Sequence, residues 1–131
     1  MAKVVMGSFP EKTWRDYSIV KFTNLTEFDF YPRLAQSPGS SLVLFSGPHC
    51  GTCRKAEAVL PQALAGWVDR LYKVDVEKSI ALAREYEIFH LPALILFVDG
   101  HFHAWIHSPL LPEMLQQVVE KALILPAEEA P

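Results

Sequence analysis

The run Leu94-Ile95-Leu96-Phe97-Val98 contains no polar residue and no alternation. A strand of this kind needs apolar cover on both faces, which confines it to the middle of a layered sheet. The rest of the chain supplies that cover. Short strand patterns fall at Ile19–Phe22, Leu42–Phe45, Leu71–Val76, Leu94–Val98 and Phe102–Ile106. Asp99-Gly100 between the last two is a hairpin signal. Helical patterns fall between and after them. Thr26–Ala35 is interrupted by Pro32. A helix from Cys50 has a stripe of Cys53, Ala56, Leu60, Leu64 and Trp67, is kinked at Pro61 and ends near Gly66. Ser79–Tyr86 turns Ile80, Ala83 and Tyr86 inward. Pro112–Leu123 has apolar positions at Met114, Leu115, Val118, Val119 and Ala122. The order β-α-β-α-β-α-β-β-α predicts an α/β fold, a central mixed sheet with helices on both faces.

The chain has 131 residues, half of them hydrophobic, which suits a single domain with a real core. We expect an arm over residues 1–16, a domain over 17–125 and a flexible tail over 126–131. A net charge of −3 offers no footprint for nucleic acid. The apolar stretch Leu91–Val98 is too short to span a bilayer, and the N-terminus lacks the apolar core of a signal peptide. These features predict a cytoplasmic chain with no membrane partner, a monomer or weak dimer.

The two cysteines stand in Cys50-Gly51-Thr52-Cys53, directly after a strand and at the start of a helix. Unpaired N–H groups and the positive end of the helix dipole favour thiolate there, and thiolate is the nucleophile. A second thiol one turn on can attack the first sulfur. The spacing therefore reads as a reversible dithiol/disulfide site. Cys50 is the attacking thiol and Cys53 the resolving one. A metal or Fe–S pair shared across a dimer is an alternative use of the same cysteines.

Together, this element order, the cysteine pair at a strand-to-helix turn, the segment Leu82–Phe97 and the Asp99-Gly100 hairpin resemble the thioredoxin family over roughly residues 17–124. The resemblance implies a thioredoxin fold and a thiol–disulfide oxidoreductase acting on protein disulfides. It needs no organic cofactor at the site and takes electrons from a separate, unidentified reductase. It also implies a cis-proline at Pro92, with Leu91 before it offering its backbone to an extended substrate. His49, Gly51 and Thr52 complete the expected substrate-binding surface. The alternative in another class is a peptide-binding or assembly module on the same fold, with incidental cysteines.

Four departures from the family pattern carry information, one of them Ser108 where a Gly usually follows the last strand. His49 stands where Trp commonly precedes the first Cys, and as imidazolium it would stabilise the Cys50 thiolate. Gly51-Thr52 replaces the common Gly-Pro. Leu44 occupies the strand position of a common buried Asp. Glu57, four residues after Cys53 on the apolar stripe, is expected to be buried near the Cys53 sulfur and to serve as its proton acceptor. Finally, His101, His103 and His107 share strand parity with Trp105. This reads as a polar edge face rather than a metal centre.

Overall fold

A computed structural model describes residues 21–131. The expected arm over 1–16, and Ile19 and Val20 of the first expected strand, lie outside the described residues. The elements are β1 (Phe22–Leu25), α1 (Phe30–Ala35), β2 (Ser40–Ser46), α2 (Gly51–Ala63), β3 (Arg70–Asp75), α3 (Ile80–Glu85), β4 (Ala93–Val98), β5 (His101–Ile106) and α4 (Pro112–Ile124). The five strands form one sheet in the order β1-β3-β2-β4-β5. β3 pairs in parallel with β1 and β2, while β4 runs antiparallel to both β2 and β5.

Each central strand divides its side chains between two cores, as the unalternated apolar runs require. Leu42 and Leu44 of β2 and Leu94 and Leu96 of β4 face Ala56 and Leu60 of α2 and Leu115 and Val119 of α4. Val43, Phe45, Ile95 and Phe97 point the other way, onto Phe30 and Leu34 of α1 and Leu82 of α3. All seven residues of β2 are buried. The chain turns from β4 to β5 through Asp99 and Gly100, both at positive φ (52° and 83°), the two-residue geometry that matches strand twist.

Several local expectations give way to tertiary packing. Among the described residues the first strand is Phe22–Leu25, which takes in Phe22 of the expected strand and runs on to Leu25. α1 begins at Phe30 rather than Thr26, because the Asp29 carboxylate accepts from both the backbone N–H and the hydroxyl of Thr26 and folds that segment into a turn. Pro32 then falls in the first helical turn, where its missing N–H costs nothing. α2 runs unbroken through Pro61, with Leu60 and Ala63 buried on either side of it. It stops at Ala63, so Trp67 leaves the stripe and is 38% exposed while Val68 is buried instead. On α3, Ile80 faces solvent and Leu82 is buried, since the aromatic cluster around Tyr86 sets the rotation of so short a helix. Met114 of α4 is likewise exposed beside fully buried Leu115.

Two further differences concern β5. A bulge between Leu96 and Phe97 leaves His103 without a partner in the ladder. Its imidazole turns to the carbonyl of Ala122 at 2.7 Å, near the end of α4, whereas Trp105 and His107 stack on each other. The shared parity of His101, His103, Trp105 and His107 is therefore broken. Within the segment 126–131, expected as a flexible tail, Glu128 bonds to this edge strand. The Glu128 N–H donates to the His103 carbonyl at 2.7 Å, and its carboxylate accepts from the Trp105 N–H.

α1 and α3 meet through a hydroxyl chain. The Tyr31 hydroxyl donates to the Glu85 carboxylate and bonds the Tyr86 hydroxyl at 3.0 Å. Burial first, and then the Glu85 hydrogen bond, push the Tyr31 phenol well above its ordinary range; burial raises Tyr86 too. α3 ends in a left-handed residue, Glu87 (φ 54°). The Ile88 N–H reaches the Ala83 carbonyl and the Glu87 N–H reaches that of Arg84, a Schellman closure whose left-handed position normally holds glycine. Glu87→Gly should therefore raise stability by roughly 1 kcal/mol, read as a higher denaturant midpoint with an unchanged slope.

Candidate active site

The parallel strands β2 and β3 deliver their C-terminal ends to one edge of the sheet, and the loop from β2 carries the cysteines. Cys50 is the N-cap of α2, in extended conformation, and its sulfur accepts from the Cys53 N–H at 3.1 Å. The helix thus opens with a sulfur in the place where Ser, Asp or Asn usually satisfies an orphan donor. Cys50 and Cys53 are joined as a disulfide, with Cα atoms 5.2 Å apart. Cys53 is fully buried, whereas Cys50 is partly exposed. His49, Gly51 and Thr52 are all exposed around them.

The Leu91-Pro92 bond is cis. Its loop lies against the cysteine loop. A Cβ added at Gly47 would stand 3.0 Å from a terminal methyl of Leu91. Thr52, Lys55, Pro92 and His107 line one cavity of about 410 Å3 beside the disulfide. The structure therefore brings together His49, Cys50, Gly51, Thr52, Cys53, Leu91 and Pro92, residues from two segments of the chain that sequence alone keeps apart.

Glu57 occupies a different setting from the one expected. Its side chain is 21% exposed, neither buried nor in open solvent. One carboxylate oxygen accepts from the Ser46 hydroxyl at 2.9 Å and the Arg54 guanidinium at 2.8 Å, and lies 3.8 Å from the Lys73 ammonium. Arg54 also donates to the Ser46 hydroxyl and to the Gly47 carbonyl at 2.8 Å, tying the loop before the cysteines to the helix after them. Lys73 is the direct neighbour of Leu44 in the β2–β3 ladder. A carboxylate on the helix thus meets the strand neighbour of the position where one was missing.

Sequence reasoning placed Arg54 beside Glu57 only as the alternative to a buried Glu57, and did not single out Ser46 or Lys73. Lys73 did leave a trace, since it shares parity with buried Leu71 on a strand whose alternate residues face the core. A lysine at such a place calls for an anion. Among the described residues no three His, Cys, Asp or Glu side chains gather as a ligand set, and no helix is long and apolar enough to cross a membrane.

Comparison with known proteins follows the same outline. The thioredoxin family model matches residues 21–121. A chloroplastic thioredoxin of Arabidopsis thaliana, Thioredoxin M4, is 26% identical over 107 residues, 80% of this chain and 55% of its own length. Thioredoxin-3 of Saccharomyces cerevisiae, a mitochondrial protein, is 33% identical over 84 residues, 63% of this chain and 64% of its own. The chain thus spans less than two thirds of the length of these two relatives. Among solved structures, a thioredoxin from Halobacterium salinarum superposes with a TM-score of 0.66 at 24% identity, covering 85% of this chain and 95% of that one, which supports the fold. With the family pattern covering all but the last ten described residues and the cysteine pair at the expected strand-to-helix turn, the chain belongs to the thioredoxin family.

Proposed function

We propose that this chain is a thiol–disulfide oxidoreductase acting on protein disulfides. The observation that carries the reading is Cys50 at the N-cap of α2, its sulfur bonded by a backbone N–H, partly exposed, and joined to a buried Cys53. In the reduced protein the Cys50 thiolate attacks one sulfur of a substrate disulfide. A Cys50–substrate S–S bond forms, the substrate bond breaks, and its other sulfur leaves with the electron pair as thiolate. Cys53 then loses its proton and attacks the Cys50 sulfur. The mixed disulfide breaks, the second substrate sulfur leaves as thiolate, and the Cys50–Cys53 disulfide is closed. The substrate gains two electrons and the enzyme loses two.

The other residues have supporting parts. The Leu91 main chain, beside Pro92, pairs with an extended substrate segment, while the Leu91 side chain lies against the cysteine loop. Gly51 and Thr52 form the exposed floor under it. His49 adds positive charge beside the nucleophile when protonated. Glu57 accepts the Cys53 proton. A separate reductase restores the dithiol, in keeping with a reducing compartment such as the cytoplasm.

The test is equilibration of the cysteine pair with glutathione buffers of graded potential, followed by insulin reduction driven by dithiothreitol. A single two-electron transition and accelerated insulin reduction are expected. A pair that equilibrates without accelerating insulin reduction would instead indicate a binding module with incidental cysteines.

A further inference from the structure

Beyond the cavity at the disulfide lies a second one of about 410 Å3, and the two share Pro92, Leu94, Ile106 and His107 in their walls. Its distinctive walls are Phe89 and His90, from the loop before Pro92, and Trp105 of β5. Trp105 is held in place. Its ring meets Phe102 edge-on at 6.1 Å and stacks on His107 at 6.5 Å with 18° between planes. Phe89 is different, 83% exposed on a loop whose start is pinned by the Schellman closure at Glu87. A phenylalanine so exposed at the rim of a preformed aromatic recess loses apolar hydration only when something fills the recess.

We propose that this recess is a specificity subsite for a large aromatic side chain of the disulfide-bearing substrate, seated between Phe89 and Trp105. The inference rests on the oxidoreductase reading above and names a substrate class for it. Continuity with the proposed site decides the occupant. An extended segment that pairs with Leu91 continues over His90 and Phe89, and residues two apart in an extended chain share a face. A substrate residue two positions from the reacting cysteine therefore faces the recess. The volume falls within the range of small-ligand pockets, roughly 300–1,000 Å3, and admits an indole or phenol ring. Aromatic rings suit such a site because they bring a large apolar area and favourable edge or offset contacts with Trp105 and Phe89.

Three short acetylated peptides test it. Each carries one cysteine as a mixed disulfide with thionitrobenzoate. One has Trp two residues before the cysteine, one has Trp two residues after it, and one has Ala at both places. With the reduced Cys53→Ser protein, attack by Cys50 moves the peptide sulfur onto Cys50 and releases thionitrobenzoate, the better leaving group, as a coloured thiolate. The expected result is a second-order rate at least about tenfold higher for one of the Trp peptides than for the Ala peptide. Phe89→Ala, at an exposed position, should collapse that ratio towards one, and Trp105→Phe should lower it.

Equal rates for all three peptides, or a ratio unchanged in Phe89→Ala, would overturn the subsite while leaving the oxidoreductase reading intact. Failure of the wild-type dithiol to reduce hydroxyethyl disulfide, which has nothing to place in the recess, would remove that reading and the inference together. If sedimentation shows a wild-type dimer that Phe89→Ala makes monomeric, the recess is a self-association face and the proposal is wrong.

Discussion

Cys50→Ser should abolish disulfide reduction, while Cys53→Ser should still attack substrate and then stall as a stable mixed disulfide. The asymmetry follows from where α2 begins. Cys50 is the N-cap, so its sulfur faces the orphan N–H groups of the first turn, and the Cys53 N–H already bonds it. It is also the exposed member of the pair. Cys53 lies one turn inside, fully buried, where only a sulfur bonded to Cys50 comes within reach. Mass spectrometry of the Cys53→Ser protein mixed with a disulfide substrate should find the adduct on Cys50. In the reduced wild-type protein, limited alkylation near neutral pH should label Cys50 well before Cys53. Faster labelling of Cys53 would reverse the assigned roles.

Glu57→Gln should preserve the fold and the first attack but slow resolution of the mixed disulfide by roughly 10²-fold, the size of a lost general base. The structure sharpens this test, because the two parts Glu57 can play predict opposite signs. Its carboxylate holds Arg54, the residue after Cys53, and Lys73 of β3. If Glu57 serves only as their counter-ion, the neutral amide leaves that positive charge uncompensated. Uncompensated cations favour thiolate. Resolution would then hold its rate or quicken at neutral pH. If Glu57 takes the proton, resolution slows, and the loss is greatest at low pH, where little Cys53 ionises unaided. Single-turnover release of substrate from the preformed mixed disulfide, followed across pH, separates the two. Full rate in the Gln variant would leave water as the base.

The sequence could not have resolved that choice. Glu57 stood four residues from Cys53 and three from Arg54 in helical register, but its other two partners were invisible. Ser46 is eleven residues away and Lys73 sixteen, on two different strands. Their meeting depends on how α2 crosses the sheet, which no local period encodes. The same holds for the aromatic recess. Phe89 and Trp105 come from separate elements and share a wall only because the loop before Pro92 folds against β5. A bulge that turns His103 to α4, and the bonding of Glu128 to β5, likewise depend on residues distant in the chain.

What the sequence by itself determined rests on short-range physics. The period-two and unbroken apolar runs set the strands, the i, i+3/i+4 stripe set α2, Asp99-Gly100 set the hairpin, and the cysteines marked a helix start. Each of these is written within a few consecutive residues, so each can be read without knowing the fold. Tertiary structure alone decided which side of the short helix α3 is buried, that Pro61 stays helical, and that Lys73 faces Glu57. In those cases the local preferences are weak or conflicting, and contacts between residues distant in the chain outweigh them.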